Sequence, residues 1–123
     1  SSIKELTDRD GSVQPTRANI LRAIEWLLDE EDSPATTSSS RATPQHARTC
    51  RLFHFCGHGG NDELYPVDWE LAGAISGRQL IRALERGLRA GTTLTCILDC
   101  CKSSSLFRTL KYELQYPGAS VRG

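Results

Sequence analysis

An α/β fold built on a parallel sheet is predicted by three observations. Two short runs, Cys50-Arg51-Leu52-Phe53-His54-Phe55-Cys56 and Thr93-Leu94-Thr95-Cys96-Ile97-Leu98-Asp99, are rich in apolar, aromatic and β-favouring residues and are bounded by turn formers. Between them, Ser76-Gly77-Arg78-Gln79 has the pattern of a capping box, with Ser76 as N-cap and Gln79 at the third helical position. A strand, helix, strand order with a connection of this length is most simply a crossover. That makes the strands parallel and sends both chain exits to one edge of the sheet.

Taken in chain order, a short polar stretch runs to Gln14 and is followed by a helix whose start is marked by Pro15 and Thr16, with Thr16 as N-cap. Ile20, Ile24, Leu27 and Leu28 form its apolar stripe. The acidic run Asp29-Glu30-Glu31-Asp32 ends the pattern with charges that oppose the helix dipole at a C-terminus. Residues 33–49 are poor in apolar side chains and rich in Ser, Thr and Pro, the composition of a flexible surface insertion. Both strand-like runs read as core strands. In the second helix, Leu80, Ile81, Leu84 and Leu88 make one apolar stripe, with Arg78, Arg82, Glu85, Arg86 and Arg89 mostly off it. There is no internal repeat.

Composition narrows the class of molecule. The chain has 123 residues, enough for one domain with a modest core. Its 15 basic and 15 acidic residues cancel, so no basic bias points to nucleic acid. No apolar stretch approaches the roughly 20 residues of a membrane span, and the N-terminus lacks a signal-peptide pattern, so no membrane partner is expected. Five cysteines is an odd count, and their positions inside strands suit reduced thiols better than a disulfide framework. A cytoplasmic compartment is expected.

The parallel arrangement has a chemical consequence. His58 lies just beyond the first strand and Cys101 just beyond the second, so both fall at the carboxyl edge, where open α/β sheets carry their active sites. A cysteine is strongly nucleophilic only as thiolate and needs a nearby base at neutral pH. His58 is the candidate base, and a thiol hydrolase is the chemistry this pair predicts.

The segments Phe53-His54-Phe55-Cys56-Gly57-His58-Gly59-Gly60, Tyr65-Pro66-Val67-Asp68 and Gly91 through Cys101 resemble, in order and spacing, the large-subunit region of metacaspases, the caspase-like cysteine peptidases. The resemblance extends upstream through Leu6-Thr7-Asp8 and Pro15 to Ile20, and downstream to about Tyr112. It implies a caspase-like three-layer sandwich with a mainly parallel sheet, of which residues 1–123 are an incomplete part. It also implies hydrolysis of polypeptides after Arg or Lys, with His58 and Cys101 as the catalytic dyad and an acyl-enzyme intermediate. The backbone N–H groups of Gly59 and Cys101 are the implied oxyanion donors. Asp99 is the implied carboxylate for the basic P1 side chain. The family's opening strand and its later strands have no counterpart, and the chain begins at Ser1. A fragment or curtailed product is therefore expected, with sheet edges that another chain or a missing segment completes.

Two stretches depart from the family pattern. The usual Asp-Ser-Cys-His-Ser-Gly reads Asp99-Cys100-Cys101-Lys102-Ser103-Ser104 here, and glycine's backbone freedom is lost at Ser104. The acidic loop that supplies calcium ligands in many members is shortened to Gly59-Gly60-Asn61-Asp62-Glu63. Asp62, Glu63 and Asp68 fall short of the roughly six to eight oxygens a hard cation takes. No cofactor is expected to be required, calcium being the one the family suggests. The runner-up is a catalytically impaired caspase-like pseudoenzyme or interaction module. A third reading takes His54, Cys56 and His58, with Cys100 and Cys101 opposite, as a zinc site, although adjacent cysteines lack the spacing of structural zinc ligands.

Overall fold

The computed structural model describes residues 2–29, 49–102, 106, 114–116 and 119–121. The expected insertion at 33–49 falls outside these except for Thr49, as do Ser103 and Ser104.

Helix α1 spans Arg17–Leu28, and its start follows the sequence signal: the Thr16 side chain accepts the Asn19 N–H at 3.2 Å. Ile20, Ile24 and Leu28 are buried, one residue per turn down a single face. Leu27, expected in that stripe, is only half-buried. Strand β1 (Thr49–Cys56) pairs in parallel with β5 (Thr92–Asp99), in register from Thr49 opposite Thr92 to Cys56 opposite Asp99. Helix α3 (Gly77–Gly87) is the connecting helix, and its capping box forms both ways: Ser76 Oγ accepts the Gln79 N–H and Gln79 Oε1 accepts the Ser76 N–H, each at 3.1 Å. Leu80, Ile81 and Leu84 are buried. Leu88, predicted to extend the stripe, is instead 42% exposed. The helix stops at Gly87, and Leu88 as C-cap has extended dihedrals that carry its side chain off the helical face.

Between β1 and α3 lies a unit the sequence did not announce. Short strands β2 (His58–Gly60), β3 (Glu63–Tyr65) and β4 (Ile75–Ser76) form an antiparallel sheet in that order, and a four-residue helix α2 (Trp69–Ala72) bridges the last two. Near the C-terminus, β6 (Leu114–Tyr116) and β7 (Ala119–Val121) pair antiparallel.

The core gathers one face of each element. Ile20, Ile24 and Leu28 meet Leu64, Ile75, Leu80, Leu84 and Leu106, with Phe53, Phe55, Leu94 and Leu98 packed against them. Helix α1 lies on α3 so closely that a Cβ at Gly87 would stand 2.6 Å from Leu28 Cβ, which only a side chain of hydrogen permits. The two long strands are not buried on both faces as core strands would be. Their burial alternates residue by residue, leaving Cys50, Leu52, His54 and Cys56 of β1 and Thr93, Thr95, Ile97 and Asp99 of β5 on an exposed face. Leu52 is 55% and Ile97 47% exposed there. Among the described residues the helices packed on this sheet cover only its other face, so the fold is α/β with a parallel sheet and lacks a second helical layer in these residues.

Candidate functional site

Parallel pairing brings the ends of β1 and β5 together, and the two chain exits stay together beyond the ladder. The Gly57 N–H donates to the Asp99 carbonyl at 3.2 Å, which continues the pairing one residue past β1. Two residues later, a Cβ placed on Gly59 would lie 2.9 Å from Cys100 Sγ and 3.1 Å from the Cys101 carbonyl oxygen. Nothing larger than hydrogen fits there, so the His58–Gly60 backbone can lie directly against the Cys100-Cys101 turn. His58 is the first residue of β2, one position before that contact, and is exposed. Cys101 is exposed in the turn after β5. The predicted base and the predicted nucleophile thus sit on neighbouring exits of one sheet edge.

Asp99 closes β5 with its side chain exposed on the open face. Cys56 is its register partner, and the Cys56 thiol donates to Asp99 Oδ2 with a sulfur–oxygen distance of 3.8 Å. Two further thiols, Cys96 within β5 and Cys100 just beyond it, are half-buried. Burial pushes the Cys96 thiol above its ordinary value. Cys100 is also pushed up, first by burial and then by the negative charge that Cys101, Asp99 and Cys56 place around it. Directly after Cys101, Lys102 adopts a left-handed backbone with φ of 54°, a conformation that non-glycine residues take up at some cost.

The antiparallel β2–β3 ribbon holds the histidine from the other side. His58 is opposite Tyr65, whose ring stacks at a tilt on Trp69 with centroids 5.2 Å apart. Asn61 and Asp62, both left-handed at φ of 51° and 64°, form the reversal between β2 and β3. That turn chemistry, Gly60-Asn61-Asp62, was the available signal for the ribbon. It sat inside a stretch that resembled a shortened cation-binding loop.

The three carboxylates of that stretch are dispersed. Asp62 is exposed at the turn, and its carbonyl oxygen accepts the Gly77 N–H at 2.7 Å. Glu63 stands in β3. Asp68 has a task that the sequence alone did not reveal: its Oδ1 accepts the Arg17 N–H at 2.8 Å, capping the first turn of α1 from a distant part of the chain. Among the described residues no group of three or more His, Cys, Asp or Glu side chains is arranged to hold a metal ion. His54 and Cys56 share the exposed sheet face, without the convergence that the zinc reading needs.

A family model described as metacaspase, peptidase C14 domain, matches residues 2–110. Metacaspase-1A of Aspergillus terreus is 35% identical over 105 residues, covering 75% of this chain and 23% of that protein. Metacaspase-1 of Ajellomyces capsulatus is 37% identical over 105 residues, with 75% and 26% covered. Metacaspase-1 of Coccidioides immitis is 36% identical over 105 residues, with 75% and 20% covered. The chain therefore spans 20% to 26% of the length of these relatives.

Proposed function

The chain belongs to the metacaspase peptidase C14 domain family, and from that premise we propose that it carries the His58/Cys101 dyad of a cysteine endopeptidase that cuts polypeptides after Arg or Lys. The observation that supports this most is the contact of Gly59 with Cys100 and Cys101, because it holds the histidine-bearing exit against the cysteine-bearing one.

In the proposed cycle, His58 takes the Cys101 proton and the thiolate attacks the scissile carbonyl carbon. The carbonyl oxygen becomes an oxyanion, received by the backbone N–H groups of Gly59 and Cys101. Collapse of that intermediate breaks the C–N bond, and His58 returns its proton to the leaving amine. A thioester to Cys101 remains. Water, deprotonated by His58, then attacks the thioester and releases the carboxylic acid and the free thiol.

Asp99 is the proposed recognition carboxylate for the basic P1 side chain. A carboxylate forms charge-assisted hydrogen bonds with Arg or Lys that an apolar side chain cannot match. It is exposed at the same edge as Cys101, two residues before it in sequence. We propose no cofactor requirement. The shortened Gly59 to Glu63 stretch and the use of the Asp68 carboxylate at α1 support that reading over a calcium-dependent one.

The second reading is a non-catalytic caspase-like interaction module. It is supported by the exposed Leu52 and Ile97 on the face of the β1–β5 sheet that no helix covers among the described residues, and by the non-glycine left-handed residue Lys102 beside Cys101. Fluorogenic peptides ending in Arg or Lys, with and without calcium, separate the two. Turnover lost in both Cys101→Ala and His58→Ala supports the peptidase. Absence of turnover in folded protein supports the module.

A further inference from the structure

Three of the five cysteines, Cys56, Cys100 and Cys101, gather at the carboxyl edge of the β1–β5 pair. Cys56 ends β1, and Cys100 and Cys101 follow the end of β5. They differ in access. Cys56 and Cys101 are exposed, whereas Cys100 is half-buried, packs against the core and lies under Gly59.

Strand alternation sorts them further. Cys56 and its partner Asp99 point to the open face, Cys100 falls on the inward side, and Cys101 has the same parity as Asp99. Cys56 and Cys100 therefore project to opposite sides, which disfavours a bond between them. Cys101 has left the strand ladder for a turn that includes the left-handed Lys102, so its position is set by that turn and not by β5 hydrogen bonds. The turn leans toward the β1 exit, with the Cys101 carbonyl oxygen 3.1 Å from where a Cβ of Gly59 would be.

We propose that Cys56 is the resolving thiol for Cys101, so that hydrogen peroxide converts this edge into a reversible Cys56–Cys101 disulfide. The Cys101 thiolate attacks one peroxide oxygen, the O–O bond breaks, and the departing hydroxide is protonated to water, leaving Cys101 as sulfenic acid. The Cys56 thiolate then attacks that sulfur and displaces the hydroxyl as a second water. Two thiols have lost two hydrogens and one peroxide has become two waters. Closure requires the turn at Cys100 to Lys102 to move, because disulfide sulfurs need their Cα atoms within about 4.4–6.8 Å.

Cys100 does not compete in either step. Its burial and its anionic neighbours hold it in the thiol form, which is a poor nucleophile. On the peptidase reading proposed above, the disulfide removes both the nucleophile and the thiol beside Asp99, so oxidation would block turnover and substrate binding together. The sulfur chemistry itself does not depend on turnover.

The test treats the full chain with hydrogen peroxide and maps peptides by mass spectrometry, with dimedone added in a parallel sample to trap sulfenic acid. The expected result is a cross-linked peptide containing Cys56 and Cys101, lighter by two hydrogens than the sum of its parts and released by dithiothreitol. In Cys56→Ser, checked for folding by circular dichroism, the cross-link is absent and Cys101 accumulates as dimedone adduct and then sulfinic acid. In Cys100→Ser the Cys56–Cys101 cross-link persists. A wild-type chain in which Cys101 resists peroxide, stops at sulfinic acid, or pairs with Cys100 overturns the proposal. Peptidase assays of the reduced protein report separately on the catalytic reading.

Discussion

Cys56 and Asp99 face each other across the last rung of the parallel ladder, with Cys56 Sγ 3.8 Å from Asp99 Oδ2. The carboxylate stands exposed on the open face, with the Cys56 thiol as its side-chain partner across the ladder. Replacing it with the isosteric amide keeps the shape and removes the charge. Asp99→Asn should lower kcat/KM for Arg- and Lys-terminated peptides by about 10- to 100-fold, the loss of one charge-assisted hydrogen bond of about 1.5–3 kcal/mol, chiefly through KM. Unchanged kinetics in the variant would remove Asp99 from the recognition role.

Gly59 makes a sharper steric prediction. In Gly59→Ala the new methyl would meet Cys100 Sγ at 2.9 Å and a backbone oxygen at 3.1 Å, so the two exits must separate. Overpacking of this kind costs about 1–3 kcal/mol. Urea unfolding should register that loss, and turnover should fall by more than the loss of folded protein explains.

Asp68 was legible only as one acid among three. Its contact with the Arg17 N–H ties the N-cap of α2 to the start of α1, 51 residues away in sequence. Asp68→Ala should destabilise the chain by about 1 kcal/mol, the usual worth of an N-terminal cap, while addition of calcium to the parent protein should leave its melting temperature unchanged. A calcium-dependent rise in Tm that Asp68→Ala abolishes would return this residue to metal binding.

The half-buried thiols predict a pH dependence. Cys96 and Cys100 have their values raised above 9.0 in the folded chain, so they remain protonated where the unfolded chain has begun to ionise. The stability they contribute is fully present below 9.0 and is lost as pH rises toward their folded values. Urea midpoints measured across that range should fall, and Cys96→Ala should flatten the fall while lowering stability at neutral pH. Alkylation should likewise reach Cys101 and Cys56 before Cys100.

Local signals with a single structural solution were read directly from the chain. Thr16 and the Ser76/Gln79 box mark helix starts because an N-cap oxygen satisfies particular backbone N–H groups wherever the sequence goes next. The parallel pairing followed from the length of the connection, and with it came the shared edge for His58 and Cys101. What escaped depended on contacts distant in sequence. Strands of two or three residues, such as Ile75–Ser76, are too short to show a period, and they exist because Leu64 and Ile75 reach the core from them. Leu52 and Ile97 are as apolar as the inward-facing Phe53 and Leu98, so no composition rule distinguishes the covered face from the one left exposed among the described residues. Asp68 could not be assigned until α2 was seen beside α1.

The alternating burial of β1 and β5 imposes two opposite codes on the same eight-residue stretches. Randomising Phe53, Phe55, Leu94 and Leu98 in a library selected for soluble expression should return only bulky apolar residues. Randomising Leu52, His54, Thr95 and Ile97 should return a spread of hydrophilic ones, and variants enriched there would give a better-behaved chain than the natural sequence without touching the chemistry at its edge.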